Sequence, residues 1–277
     1  MKIEKRKHGD CTELLVNGQV VSRAWARPDL PGYLAIDKID MYREAGIRIH
    51  FVSMHQPQLL FWDGGDYYYP EQLSAFLEWI CKYDEKALLI PYIGFRTSGP
   101  YKWIKNHLDE CTLLSNGERY DAPSVASQQW RRDVREAIAR IVRHLEESAI
   151  GERILGFNFV QGANEWFAYS AFHLDPWRQG FADYSEPFQQ YFREFVQRRY
   201  AGDEQALRKA WKDANISFDR VEVPSVDERL QFGHEGMFYA RDRLGLKLTD
   251  FYHAWHQAWA ELAEFYCRTA KEAASRE

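Results

Sequence analysis

A chain of 277 residues with 45% hydrophobic and 28% charged side chains has the composition of one large α/β domain or two smaller ones. Its formal charge of −5, with no Lys/Arg-rich run or basic helix face, gives a nucleic-acid backbone little to hold, and no stretch approaches the roughly 20 apolar residues of a membrane helix. Cys11, Cys81, Cys111 and Cys267 are far apart without CxxC spacing and the opening MKIEKRKHGD has no apolar leader, so the expectation is a soluble, unexported, cytoplasmic protein with no disulfide frame, metal or cofactor.

The first predicted element is a hairpin within residues 1–22, TELLV and QVVSRAW joined by Asn17-Gly18, whose second arm runs on toward a strand ending near Trp25. A helix over 34–45 stops at Gly46, and the β-branched run IRIHFVSM (47–54) follows as a strand. In PEQLSAFLEWICKYDEK, Leu73, Phe76, Leu77 and Ile80 share one helical face, ahead of the buried strand ALLIPYIGF (87–95). Residues 96–126 read as a long irregular connection rich in Gly, Pro, Tyr and Trp. Then WRRDVREAIARIVRHLEES aligns Val134, Ile138, Ile141, Val142 and Leu145 on one stripe and feeds RILGFNFVQ (153–161). After residue 170 the pattern turns helical, with Ser185 as an N-cap, Pro187 in a first turn and a long last helix; only RVEV (220–223) reads as extended.

Strands alternating with helices argue for a parallel sheet, and the lack of GxGxxG or GxxxxGK[ST] after any strand favours a barrel over a nucleotide-binding fold. The expected fold is α/β of the TIM-barrel type: a single incomplete barrel-type domain over 1–277 with about four βα units, and a helical insertion over 171–245 after the fourth strand. Active sites of such barrels lie at the carboxyl ends of the strands. His55, Arg96 and the pair Asn164-Glu165 fall there.

Aromatic residues make 16% of the chain, and many stand beside polar residues near predicted strand ends. Such rings stack on sugar faces as well as on one another, so Trp25, Trp62, Tyr92, Tyr101 and Trp103, with His55 and Arg96, are candidates for lining sugar subsites, core packing being the alternative for each. Arg23 and Arg96 are candidate clamps. His253 and His256, three apart on a helix, lack a third ligand at matching spacing, and Glu235 is a carboxyl in a Gly-flanked loop.

The Asn-Glu pair closing GFNFVQGANEW at the end of the fourth strand resembles the acid/base signature of the clan of retaining glycoside hydrolases built on TIM barrels. SEPFQQYFREFVQRRYAGDEQALRKAW (185–211) is similar to the insertion after that strand in glycoside hydrolase family 42, the β-galactosidase family, as is SQQWRRDVREAIARIVRHLE ahead of it. The resemblance covers roughly residues 20 to 275 and implies a carbohydrate substrate, Glu165 as general acid/base and Asn164 on the sugar 2-hydroxyl. Three features depart from the family: AFHLDPWRQGFADYSEP lacks its zinc cysteines, KDANISFDRVEVP lacks its loop Trp, and the nucleophile Glu after a seventh strand has no counterpart. No metal and no galactose specificity are therefore carried over.

Retaining hydrolysis uses two carboxyl groups about 5 to 5.5 Å apart, one protonated and one ionised. Trp166 and Phe167 suit Glu165 to the protonated role, since desolvation raises a carboxyl pKa; a surface Glu capping the next helix is the plainer alternative. The expected activity is retaining hydrolysis of a β-linked glycoside, against two rivals: a catalytically incomplete carbohydrate-binding half-barrel, and a lyase or isomerase using Glu165 as base. Four strands cannot close a barrel, so the chain is expected to be oligomeric or to need a partner segment completing the barrel, and to show no retaining turnover alone.

Overall fold

The computed structural model describes residues 2–21, 25–26, 33–53, 62–95, 101–161, 181–230 and 246–275. In chain order the elements are β1 (Ile3–His8), β2 (Cys11–Val16), β3 (Gln19–Val20), β4 (Trp25–Ala26), α1 (Tyr33–Glu44), β5 (Ile49–Ser53), β6 (Trp62–Gly64), β7 (Tyr67–Tyr68), α2 (Pro70–Tyr83), β8 (Leu88–Phe95), α3 (Tyr101–Asn106), β9 (Cys111–Leu113), β10 (Arg119–Pro123), α4 (Gln128–Glu147), β11 (Asn158–Gln161), α5 (Glu186–Arg199), α6 (Glu204–Trp211), α7 (Val226–Leu230) and α8 (Lys247–Ala273). None of the described helices is long and apolar enough to cross a membrane. The chain divides into two compact units, Met1–Arg96 with Val134–Val160 and Tyr266–Glu277, and Thr97–Asp133 with Gln161–Phe265.

The first unit is organised by a four-stranded sheet in the order β11-β8-β5-β4. β4 pairs parallel with β5 and β5 parallel with β8, while a parallel bridge joins Leu89 to Ile154 just ahead of β11. The runs IHFVS and LLIPYIGF are apolar almost throughout, as strands covered on both faces must be. The register sets His50 beside Leu89 and Val52 beside Pro91, and this row is buried, as is Ile93 two residues on. The helical stripes expected from the sequence are buried too: Leu73, Phe76, Leu77 and Ile80 on α2, and Val134 to Leu145 on α4. Pro70, which needs no amide partner at a helix start, opens α2, and Asp84 closes it with its own amide donating to the Ile80 carbonyl. Asp84 is almost wholly buried and receives Arg48 at 2.7 Å and His50 Nε2 at 3.4 Å, tying strand β5 to the end of α2. Burial lowers the His50 pKa, holding the ring neutral against the pull of Asp84.

Two small sheets belong to the same unit. The Asn17-Gly18 turn forms as expected, both residues at positive φ, and joins β2 to β3. β1, a charged run with no strand pattern, pairs antiparallel with β2 and is held there in part by the Arg6–Glu13 ion pair at 2.7 Å. WDGGDYY, also unforeseen, folds into the β6–β7 hairpin, with Gly64 and Gly65 supplying positive φ.

The second unit explains much of the aromatic content. Phe188 packs on Trp255 with ring centroids 5.1 Å apart, Phe192 stacks on Trp211 at 6.1 Å and meets Phe251 at 5.9 Å, and all five rings are buried. Helix α5 starts as the sequence predicts, Ser185 Oγ accepting from the Phe188 amide, and Asp203 caps α6 in the same way. RVEV is not a strand: Phe218–Arg220 is a 3-10 turn and irregular chain follows. The connection over 96–126 also differs from expectation. It contains α3, a 3-10 turn and the antiparallel pair β9–β10, whose turn is another Asn-Gly, Asn116-Gly117, with Gly117 at φ +85°.

Asp250, fully buried on α8, holds this unit's polar centre. It contacts Arg199 Nε at 2.7 Å and accepts from Tyr200 Oη at 2.6 Å and Trp211 Nε1 at 2.8 Å. Removing one partner of a buried charge pair typically costs about 3–5 kcal/mol. Arg199 retains some access to water, so Asp250→Ala should lower unfolding free energy by about 3 kcal/mol in urea titration, the low end of that range. A loss under about 1 kcal/mol would mean that the cluster is replaceable by water.

Candidate functional site

Parallel pairing sends the chain out of β4, β5 and β8 at the same edge of the sheet. β5 ends at Ser53, β8 at Phe95 and β11 at Gln161. His55 follows the first end, Arg96 the second, and Asn164 and Glu165 stand third and fourth after Gln161. Asn164, Glu165, Trp166, His55, Arg96, Arg23 and Glu235 all lie outside the described residues. Trp25 and Tyr92 are placed by their strands: Trp25 pairs in register with Ile49, and Tyr92 with Ser53. Both positions fall in the alternation of Ile49, Phe51, Leu88 and Ile90, opposite to the fully buried row of His50, Val52, Leu89 and Pro91. In this second row Ile49 is buried while Phe51, Leu88 and Ile90 are half-buried.

Two predicted subsite residues lie in the core instead. Trp103, on α3, is 1% exposed; its ring stacks on His107 at 4.6 Å, meets Trp130 edge-on at 4.9 Å and donates Nε1–H to Asp133 at 2.8 Å. Trp62, on β6, is buried and donates Nε1–H to the Gly65 carbonyl. In each case the indole has packing and a donor partner within the fold, and neither offers a face to a sugar. Tyr101 opens α3, and its side chain is outside the description. His253 and His256 are exposed on α8, and no group of three or more His, Cys, Asp or Glu suited to a metal occurs among the described residues.

The segment that carries Asn164-Glu165 returns to described structure at Phe181, and there it is firmly held. The Phe181 amide donates to Ser115 Oγ at 3.0 Å, the Ser115 amide to the Phe181 carbonyl at 2.9 Å, and the Tyr184 amide to the Leu113 carbonyl at 2.9 Å. Asp183, fully buried, accepts from Ser124 Oγ at 2.6 Å, the Ser185 amide at 2.8 Å and the Leu113 amide at 3.2 Å. Arg229 on α7 donates to the Ala182 carbonyl at 2.8 Å and lies over the rings of Phe181 and Phe251 at 4.5 and 4.8 Å. Sequence reading missed Asp183 and Arg229, because nothing in FADYSEP or DERL separates a buried anchor from a surface charge.

No family model matches the sequence, nor does any curated protein. Solved structures do match by fold. The catalytic domain of the β-amylase of Paenibacillus polymyxa superposes with a TM-score of 0.68 at 12% identity, over 91% of this chain and 64% of that one. The β-galactosidase of the psychrophile Marinomonas ef1 gives 0.54 at 16% identity, over 88% and 35%, and the cold-adapted β-galactosidase of a Rahnella species 0.59 at 13%, over 85% and 31%. All are TIM-barrel glycoside hydrolases. The chain therefore has the fold of part of such enzymes, spanning just under two thirds of the first and about a third of the other two.

Two outcomes follow from the polar anchors. Truncating a buried aromatic costs about 3–5 kcal/mol, so Trp103→Ala should lower stability by that amount in chemical denaturation; a loss below about 1 kcal/mol would return Trp103 to the surface. Burial pushes the Asp183 carboxyl above its ordinary 3.8, so the folded state binds this proton more tightly than the unfolded chain does. The stability it contributes is fully present below pH 3.8 and is lost as pH rises through the folded-state value. In urea titrations stepped upward from that pH, the stability of the parent should fall relative to Asp183→Asn, whereas a relative rise would show that the three donors outweigh burial.

Proposed function

We infer that this chain is a glycoside hydrolase domain acting on a β-linked glycoside by retention, with Glu165 as general acid/base and Asn164 beside it on the sugar 2-hydroxyl. The observation that carries this reading is the coincidence of two independent facts. The fold is that of part of several glycoside hydrolases, and the Asn-Glu pair follows β11, a strand of the parallel sheet, at the edge where such folds place their chemistry. Glu165 gives its proton to the leaving oxygen, then takes one from the incoming water. Trp25 and Tyr92, on strands of the sheet, and His55 and Arg96, which follow strands in sequence, are the proposed sugar contacts. Retention also needs an ionised carboxylate, which the resemblance assigns to no residue here; Glu235 is the first in-chain candidate.

A second reading, a carbohydrate-binding part of a barrel completed by a partner segment, is favoured by one observation: the similar chains run well beyond the matched portion. Aryl glycosides separate the two. Under the leading reading Glu165→Gln lowers turnover of substrates with poor leaving groups by about 10²- to 10⁴-fold while azide restores turnover of activated ones. Equal turnover by variant and parent would sink the assignment of Glu165. Loss in Glu235→Gln alone would move the chemistry there, and oligosaccharide binding without turnover in the parent would select the second reading.

A further inference from the structure

Nearly all the described aromatic side chains are buried or half-buried, and two are not: Tyr67 is 49% exposed and Tyr69 42%. They are neighbours on one short segment, which joins strand β5 to helix α2. Tyr67 opens β7, and Tyr69 is the residue just before Pro70. Along an extended chain alternate side chains point to one side, about 6.7 Å apart, and burial follows that alternation here: Tyr67 exposed, Tyr68 half-buried, Tyr69 exposed. Tyr68 turns inward, its ring under the Arg140 guanidinium at 5.9 Å, and burial raises its hydroxyl pKa. Trp62 is buried beneath the hairpin and bonds the Gly65 carbonyl at 3.0 Å, and Gly64 and Gly65 supply the left-handed backbone of the turn. The Tyr67 and Tyr69 rings are therefore held up to solvent by a framework that the inward Tyr68 and Trp62 anchor.

Leaving two large rings exposed at adjacent same-side positions forgoes the burial that stabilises nearly every other described aromatic. The side chains that flank them in sequence, Asp66 and Glu71, are exposed hydrogen-bond acceptors, and the partly exposed Arg140, a donor, lies over the intervening Tyr68. Flat apolar faces bearing phenol hydroxyls, with polar donors and acceptors close by, match a pyranose, which offers an apolar C–H face and a ring of hydroxyls. An apolar protein partner would have to desolvate these charged groups. We propose that Tyr67 and Tyr69 form a sugar-stacking platform for two consecutive pyranose units of an oligosaccharide. The proposal rests on the carbohydrate reading above and adds to it a site that neither the sequence nor the fold comparison singles out.

The test uses the full chain carrying Glu165→Gln, so that no ligand is consumed, and titrates a β-linked galactotetraose and maltotetraose by calorimetry. At least one tetrasaccharide should bind, and adding Tyr67→Ala and Tyr69→Ala should weaken it by about tenfold or more. Tyr67→Phe with Tyr69→Phe keeps the rings and should retain most of the affinity. Because both side chains are exposed, thermal melts of the alanine variant should match the parent; if they do not, the phenylalanine pair and the single alanine variants carry the comparison. No binding of either tetrasaccharide, or equal affinity with and without the rings, would overturn the platform. A change in sedimentation with unchanged glycan affinity would overturn it in favour of self-association. The role of Glu165 is read separately, from turnover of an aryl glycoside by the parent chain, so either idea can fail while the other stands.

Discussion

Two parallel strands cannot be joined by a tight turn, and that restriction organises the first unit. To lay Leu88–Phe95 along Ile49–Ser53 in the observed register, the chain must travel back to the start of the sheet, and α2 is the return path; α1 and α4 do the same between the other pairs. Each return must bury an apolar stripe to be stable, which is why α2 and α4 carry apolar residues at helical spacing. Every strand then finishes at one edge. In folds of this kind the segments that follow the strand ends carry the chemistry, so a site can be assembled from short segments distant in sequence.

Elements whose formation depends on local pattern were legible in the sequence, and those that depend on partners were not. α2, α4, α5 and α8 repeat apolar residues every three to four positions and carry recognisable ends, so they form where the pattern places them. β1 is all but apolar-free and is a strand because β2 lies beside it and Glu13 faces Arg6. The hairpin within 96–126 also went unread: its signal, Asn116-Gly117, is the same dipeptide that marks the first hairpin, but the strands that flank it are short. The strand ends at Ser53, Phe95 and Gln161 fall where the sequence pattern puts them, and His55, Arg96, Asn164 and Glu165 beyond them lie outside the described residues. Side-chain burial was not legible: Trp103 and Trp62 occur among Gly, Pro and Tyr as a sugar-binding Trp would, and only the neighbours brought by folding, Trp130 and Asp133 for one and the Gly65 carbonyl for the other, distinguish core from cleft.

Two of the described buried carboxylates stand at or near a helix end. Asp84 stands at the end of α2 and receives Arg48 and His50 there, and Asp250 near the start of α8 gathers Arg199, Tyr200 and Trp211. Buried carboxylates are costly unless their lone pairs are filled, and each of these has at least two partners. His50 is the complementary case. Its row is otherwise apolar, so burial disfavours its charged form, and the contact with Asp84 draws on one nitrogen of a neutral ring.

Asp183 shows why such groups are retained beside a candidate active segment. Around it the chain has neither helix nor sheet to satisfy its peptide groups, yet buried amides must find acceptors. One carboxylate oxygen serves two of them, from Leu113 and Ser185, and the other takes the Ser124 hydroxyl, so a single side chain closes three donors across residues separated by up to 72 positions in sequence. An apolar residue at 183 would leave those donors orphaned, and a longer acid would have to displace the Ser124 contact. The chain that carries Asn164 and Glu165 leaves the sheet at β11 and comes to rest at this junction, where Arg229 also grips the Ala182 carbonyl. Directional bonds to Ser115, Leu113 and Arg229 therefore fix the backbone at Phe181–Tyr184, where no regular element does so.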